Sequence, residues 1–343
     1  MKKLLQMAWL SRGWLACLLW PAAQVYRLIV QTRLSLYRNG FFESHRFRVP
    51  VIVVGNLVAG GAGKTPLVIA LARHFQARGL AVGIVSRGYG RSGRESLEVL
   101  PETAIDQSGD EPALIKRATG APFFVAKKRA DAVRSLLEAY PGSAIVVCDD
   151  GLQHYALQRD IEIAVFDDRG AGNGWLLPAG PLREPWPGHR RGGTALVVHT
   201  GQKPAFAGFA SRRELADHAI SPDGSQIALN TLRGHPLTAI AGIASPEAFF
   251  DMLRSRGLVL EKTMALPDHH AFENFDFAAL KGRTVLCTEK DAVKLFAGTG
   301  RDGLNLLAVP LDFSPEPAFF SALDRKLGSL LSQLPSNHGH QTS

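Results

Sequence analysis

The chain has 343 residues, of which 46% are hydrophobic and 20% charged. That is enough to bury a sizeable core, and it excludes a disordered polymer. Cys17, Cys148 and Cys287 stand far apart with no C-x-x-C pair, which argues against a disulfide framework or a cysteine zinc site and suits a reducing compartment. The formal charge of +8 points to an anionic partner, but Lys2, Lys3, Arg12, Arg27, Arg33, Arg38, Arg46 and Arg48 stand against Glu43 alone in residues 1–48. That net +7 leaves the rest of the chain near +1, so no nucleic-acid groove is expected on the body.

The N-terminal arm comes first. Residues 13–26 carry no charge and include Trp14, Leu15, Leu18, Leu19 and Trp20, with Pro21 interrupting the run. A bilayer span needs about 20 apolar residues, so this stretch is short. Beyond Pro21, apolar residues alternate with Arg27, Arg33 and Arg38 at helical spacing. The pattern reads as a helix lying at an anionic membrane surface. A helix packed on the protein's own core and a cleaved signal peptide are the competing readings.

A β/α alternation follows. Strands are expected at 51–54, 81–86, 123–125, 144–148, 161–166 and 195–198, with helices at 64–78, 111–118 and 130–140. Short apolar strands between helices predict an α/β fold with a mostly parallel sheet covered on both faces. Ligands bind such sheets at the carboxyl ends of the strands. Residues 171–193 are dense in Gly and Pro and break the pattern. Strands at 238–243, 285–288 and 306–309 mark a second α/β stretch. The expected organisation is an arm at 1–48, a core at 49–210, a smaller lobe at 211–334 and a disordered tail at 335–343.

The most chemical stretch is the first strand and its turn. Val51-Ile52-Val53-Val54-Gly55-Asn56 leads into Leu57-Val58-Ala59-Gly60-Gly61-Ala62-Gly63-Lys64-Thr65. Glycines let backbone N–H groups approach phosphate oxygens, and the following helix N-terminus adds positive potential. Lys64 suits the β- and γ-phosphates, and Thr65 suits Mg²⁺. Val58 occupies the place of the first glycine in G-x-x-x-x-G-K-[ST], so the strict pattern fails there. Val58, Ala59, Gly60, Gly61, Ala62, Gly63, Lys64 and Thr65 are the expected nucleotide-binding residues.

Other strand ends carry charge. Asp149 and Asp150 end the 144–148 run and suit Mg²⁺, with Thr65 as a third ligand. Gln153 and His154 follow. Asp167-Asp168 is a weaker second pair. Asp110 and Glu111 stand before a helix, where they read equally as an N-terminal cap and as a general base. Asp268-His269-His270 offers a carboxylate–imidazole pair or a surface histidine pair. Arg87, Tyr89, Arg129 and Arg183 stand in loops or at helix starts, where arginine forks suit phosphate.

Taken together, eight segments resemble the tetraacyldisaccharide 4'-kinase family of lipid A biosynthesis, in that family's order. They are Val54-Gly55-Asn56 with Gly60 to Pro66, Ser86-Arg87-Gly88-Tyr89-Gly90, Gly109-Asp110-Glu111-Pro112, Asp149-Asp150-Gly151-Leu152-Gln153-His154, Leu177-Pro178-Ala179-Gly180-Pro181-Leu182-Arg183-Glu184, Asp268-His269-His270 and Thr288-Glu289-Lys290-Asp291. The resemblance spans roughly residues 10 to 330, and that family's phosphate loop is similar to this one in lacking the first glycine. It implies a P-loop NTPase-like α/β core, a smaller C-terminal α/β lobe and an N-terminal membrane-surface helix. It also implies a kinase that moves the γ-phosphate of ATP, with Mg²⁺, to the 4'-hydroxyl of a lipid A disaccharide 1-phosphate. The expected place is the cytoplasmic face of the bacterial inner membrane, where the chain is expected to act peripherally as a monomer.

The resemblance assigns roles residue by residue. Lys64 and Thr65 hold phosphates and Mg²⁺. Asp110, paired with His269, activates the acceptor hydroxyl; whether His269 or His270 faces Asp110 is left open. Asp149, Asp150 and His154 organise the metal and the γ-phosphate region. Arg87, Tyr89, Glu111, Arg129 and Arg183 line the acceptor side. The alternative class is a membrane-docked P-loop ATPase switch. A GTPase version needs Asn-Lys-x-Asp, and Thr288-Glu289-Lys290-Asp291 places its lysine one position late.

Overall fold

The computed structural model describes residues 7–91, 93, 95–187, 195–272, 275–298 and 303–332. Lys2, Lys3 and the expected tail at 335–343 lie outside the described residues.

Val51–Asn56 is buried along its whole length because it sits mid-sheet. It pairs in parallel with Ile145–Asp149 on one side and Ile161–Phe166 on the other. Successive side chains point to opposite faces. Ile52 and Val54 join one core cluster with the Lys64–Ala77 helix, while Val51 and Val53 join another with the Arg129–Ala139 helix. Burying each such side chain contributes about 1.5–3 kcal/mol. This two-sided burial is why the strand reads as an unbroken apolar run.

Among the described residues the larger sheet has nine strands. In spatial order they are Leu311–Pro315, Phe209–Leu215, Leu196–His199, Ile161–Phe166, Val51–Asn56, Ile145–Asp149, Val82–Ser86, Phe123–Val125 and Leu97–Glu98. The smaller sheet has six, in the order Gln226–Ala228, His218–Ile220, Asn305–Val309, Thr284–Thr288, Leu237–Ala241 and Leu260–Ala265. The mixed α/β, mostly parallel architecture expected from the sequence is present.

The division of the chain differs from the expected 211–334 lobe. Phe209–Leu215 and Leu311–Pro315 pair antiparallel at the edge of the larger sheet. The Pro317–Leu331 helix then returns to that sheet, burying Phe319, Leu323 and Leu327 in its core. The smaller sheet is thus inserted between two passages of the larger one.

The long helix of the arm, Trp14–Arg38, runs through Pro21 rather than breaking there. Ala16 and Ala23 are buried, and Tyr26 packs on the core. Trp9 Nε1 donates to the Pro178 carbonyl at 2.9 Å, and Arg12 Nε to that of Asn173 at 3.1 Å. The remaining face leaves Trp14, Leu18, Val25, Leu28 and Ile29 exposed.

Candidate functional site

A cleft of about 2520 Å³ lies between the two sheets and is lined from both. Its floor is the glycine-rich turn. Gly63 adopts a left-handed φ of 75° that a side chain would strain, and the Lys64–Ala77 helix begins directly after it. The helix forms because Leu67, Val68, Leu71, Ala72 and Phe75 make one buried stripe, and Gly79 at φ 72° follows its end. Its first N–H groups lack intrahelical partners and face the cleft.

Buried Asn56 shapes the loop, its Nδ2 donating to the carbonyls of Val58 at 2.8 Å and Gly60 at 2.6 Å. Its Oδ1 accepts from Lys64 Nζ at 3.2 Å. Lys64 also lies 3.4 Å from Asp150 Oδ1. Thr200 Oγ1 donates to the Ala62 carbonyl, and Arg169 donates to those of Ala59 and Gly61.

Gly60, Gly61, Ala62, Gly63, Lys64 and Thr65 line the cleft. Val58 and Ala59, expected as nucleotide-binding residues, do not. Val58 is fully buried and bridges Leu182, and the Ala59 N–H bonds the Pro181 carbonyl at 2.8 Å. Both are held by these contacts in the wall behind the cleft lining.

The strand Ile145–Asp149 delivers the paired carboxylates, with Asp149 its last residue rather than the first beyond it. The chain then turns at Asp150, whose φ of 50° is strained for a non-glycine residue. Asp149 is 1% exposed and its Oδ1 has no partner among the described atoms. Burial pushes its carboxyl up to about 7, helped by the charges of Glu111 and Asp150 and opposed by Lys64 and Arg129. Burial also pushes Asp150 up, but Lys64, Arg183 and Arg129 outweigh it and hold it below the ordinary range. Burial, with the charges of Arg129, Arg87 and Arg33, drops His154 to about 3, so its ring is neutral at physiological pH.

A buried carboxylate oxygen without a donor fits a cation. Mg²⁺ takes one or two protein carboxylates and fills its shell with phosphate and water. Asp149, Asp150 and Thr65 suit that role. Among the described residues no cluster of three or more His, Cys, Asp or Glu side chains suits a metal held by protein alone.

Arg129 is 3% exposed, and Nη2 donates to the Asp150 carbonyl at 2.8 Å. Its Nε and Nη1 are buried without partners, so the fork has free donors to offer an anion. Arg183 lies 3.9 Å from Asp150. Arg87 and Tyr89 are exposed at the rim.

The cleft also holds an imidazole–carboxylate pair, with one partner from the connections of each sheet. Gly109 at φ 91° precedes the Asp110–Thr119 helix and places Asp110 at its first turn, 5% exposed. His269 Nδ1 lies 2.9 Å from Asp110 Oδ2, so His269 rather than His270 faces this carboxylate. The His270 ring packs edge-on to Phe272 and Phe275 instead. Burial pushes Asp110 up, but the bond to His269 and the ammonium groups of Lys290 and Lys294 outweigh it and hold the carboxyl well below the usual range. The same bond raises His269.

Sequence reasoning missed several residues that build this site. Lys294 Nζ donates to Asp110 Oδ2 at 3.0 Å. Lys290, Asn56, Thr200 and Arg169 had no assigned task. Asp167, the weaker candidate, pairs with Arg169 at 2.7 Å, and Asp168 Oδ1 accepts the Lys203 N–H at 2.6 Å. Both shape the loop around the cleft. A lysine four residues after another, on a helix opening with Thr-x-x-Asp, was the available signal for Lys294.

The family described as tetraacyldisaccharide-1-P 4'-kinase, LpxK, matches residues 15–328. The chain is 71% identical over 343 residues, all of both chains, to the tetraacyldisaccharide 4'-kinase of Polaromonas naphthalenivorans strain CJ2. It is 52% identical over 335 residues, 97% of this chain and 95% of the other, to that of Acidovorax sp. strain JS42. The fold is similar to LpxK from Aquifex aeolicus, crystallised in complex with ATP, with a TM-score of 0.77 and 28% identity over 92% of this chain and 99% of that one. The chain belongs to the tetraacyldisaccharide 4'-kinase family.

Proposed function

We propose that this cleft transfers the γ-phosphate of ATP to the 4'-hydroxyl of tetraacyldisaccharide 1-phosphate, giving lipid IVA in lipid A biosynthesis. The observation that carries the reading is the placement of Lys64 and the Asp110–His269 pair on one cleft, from two sheets. The first supplies charge for phosphate, and the second supplies an acceptor for the sugar hydroxyl's proton.

Gly60 to Thr65 cradle the ATP phosphates with backbone N–H groups. Lys64 and Arg129 neutralise charge as the phosphoryl group moves. Asp149, Asp150 and Thr65 would hold Mg²⁺, which would supply positive charge against the phosphates. His154, neutral at physiological pH, stands beside Arg129 without adding charge. Asp110 and His269 orient the 4'-hydroxyl and take its proton. Glu111, Arg87, Tyr89 and Arg183 bound the acceptor side, where arginine suits the substrate's own phosphate.

The arm supports peripheral docking on an anionic membrane, at the cytoplasmic face of the inner membrane. Among the described residues no helix is long and apolar enough to cross a membrane. Yet Trp14, Leu18, Val25, Leu28 and Ile29 leave an apolar face on a helix that also bears Arg27, Arg33 and Arg38. Tyr26 on its inner face donates to the Arg183 carbonyl at 3.1 Å, so the arm borders the acceptor side. We read the working unit as a monomer, because one chain carries both walls of the cleft. Labelled ATP with lipid acceptor in detergent tests the reading. Label on lipid supports it, and hydrolysis that ignores the acceptor favours an ATPase switch.

A further inference from the structure

Thr288-Glu289-Lys290-Asp291 has no task in that chemistry. The structure explains its outer residues. Thr288 caps the Glu289–Ala297 helix, its hydroxyl oxygen accepting the Asp291 N–H at 3.2 Å. The Asp291 carboxylate accepts the Gly242 N–H at 3.0 Å and the Thr288 hydroxyl at 2.7 Å. The Gly242 carbonyl in turn accepts the His269 N–H at 3.1 Å. A Cβ at 242 would meet Asp291 Oδ1 at 2.8 Å, so glycine lets cap and histidine loop share one platform.

On that platform Lys290 reaches His269. Its Nζ lies 3.1 Å from Asp268 Oδ1, 3.4 Å from Glu111 Oε1 and 3.3 Å from His269 Nε2. An ammonium has three donors and no acceptor. Burial pulls the Lys290 pKa down, but the charges of Glu111, Asp110 and Asp268 outweigh it, so the group stays cationic. A ring nitrogen facing it must offer a lone pair. The ring proton is then left on Nδ1, where Asp110 Oδ2 accepts it at 2.9 Å.

We propose that Lys290 is a positioning residue that holds His269 in the Nδ1–H tautomer with Nε2 unprotonated, and so keeps the Asp110–His269 pair able to accept a proton. The proposal rests on the reading of that pair as the proton acceptor. The groups in contact with His269 are Asp110 on the Asp110–Thr119 helix, Asp268 in its own loop, Lys290 on the Glu289–Ala297 helix and the Tyr89 ring at 5.6 Å; Glu111 lies on Lys290, and Lys294 on Asp110, one contact further out. Two carboxylates therefore flank the ring, and one ammonium stands against them. Asp268 Oδ1 is 3.8 Å from Nε2 but is engaged by Lys290. Without Lys290 it is free to hold an Nε2–H, and the ring becomes an imidazolium between two carboxylates. An imidazolium has no lone pair for the hydroxyl's proton.

The test uses the full chain with ¹⁵N-labelled histidine. In the wild type, NMR above the titration midpoint shows a protonated Nδ1 and an unprotonated Nε2. In Lys290→Met the midpoint moves upward and the two nitrogens average between tautomers. The acidic limb of kcat moves with it, so turnover near pH 6 falls about tenfold more than near pH 9, less than the full loss of an acid–base group. KM for ATP is unchanged. Lys290→Arg, another donor-only cation, returns the midpoint toward the wild type. An unshifted midpoint and an unaltered tautomer pattern in Lys290→Met overturn the proposal. Lys290→Gln carries the same measurement if circular dichroism shows Lys290→Met misfolded. A His269→Ala protein with wild-type turnover is a different failure: it overturns the base assignment, while the ring titration still reports on Lys290.

Discussion

Replacing Asp110 by asparagine removes one charge and almost no volume. The carboxylate accepts from His269 Nδ1 at 2.9 Å, Lys294 Nζ at 3.0 Å and, through Oδ1, the Glu111 N–H at 3.0 Å. An amide keeps one oxygen but turns its NH₂ toward a second donor. As an acid–base group Asp110 is worth about 10²–10⁴ in rate, or about 2.7–5.4 kcal/mol of barrier. The stability cost is smaller, about 1.5–3 kcal/mol for one charge-assisted hydrogen bond, because Lys290 and Lys294 can turn toward water. The folded carboxyl lies below its ordinary value. Its contribution is therefore present above the unfolded value of about 4 and is lost as pH falls further. The same bond raises His269, so the Tm gap between wild type and Asp110→Asn should be widest near pH 5 to 6, narrow as pH rises and His269 loses its proton, and close under strong acid. Turnover at saturating ATP and lipid, with KM for ATP and Tm measured alongside, checks the whole pattern. A folded Asp110→Asn protein with kcat within about threefold of wild type refutes the reasoning, since no acid–base role is that small.

Lys64→Ala should cost about 3–4 kcal/mol of transition-state stabilisation with an intact circular dichroism spectrum; near-wild-type turnover contradicts the phosphate-loop role. Asp110→Asn combined with His269→Ala should be little worse than either alone, because groups acting as one unit are not additive, and a multiplicative loss means separate roles. Nucleotide affinity in the presence of Mg²⁺, followed by titration, should weaken as pH falls, because burial raises the Asp149 carboxyl and a proton there competes with the cation; a profile unchanged in Asp149→Asn removes Asp149 from the metal site. Leu18→Glu with Leu28→Glu should abolish liposome flotation while leaving Tm unchanged, since both side chains are exposed; unchanged flotation at low and high salt shows that the arm is not the anchor.

The glycine-rich turn, the paired aspartates and the parallel core were legible because each is local. An apolar strand, glycines and Lys64-Thr65 lie within fifteen residues, and burial on both faces makes the strands unbroken apolar runs. Pairing across the chain was not legible. Nothing near Phe209–Leu215 announces that it joins Leu311–Pro315, a century of residues later. Lys290 and Lys294 gain meaning only when their helix meets Asp110 and Glu111 across 179 and 184 residues. The choice between His269 and His270 was equally closed to sequence. It is made by a backbone φ of 63° at His269 and by aromatic packing that takes the His270 ring away. Val58 and Ala59 were expected at the cleft because a motif counts positions; the Leu182 bridge and the Pro181 bond, both distant in sequence, hold them off its lining.

The most direct measurement of the central claim follows the γ-phosphate itself. Purified chain, γ-labelled ATP, Mg²⁺ and tetraacyldisaccharide 1-phosphate are combined in detergent, and the lipid product is mapped. The account predicts label at the 4'-position, absent without acceptor and lost in Lys64→Ala and Asp110→Asn. Label released as inorganic phosphate at the same rate with or without lipid contradicts it.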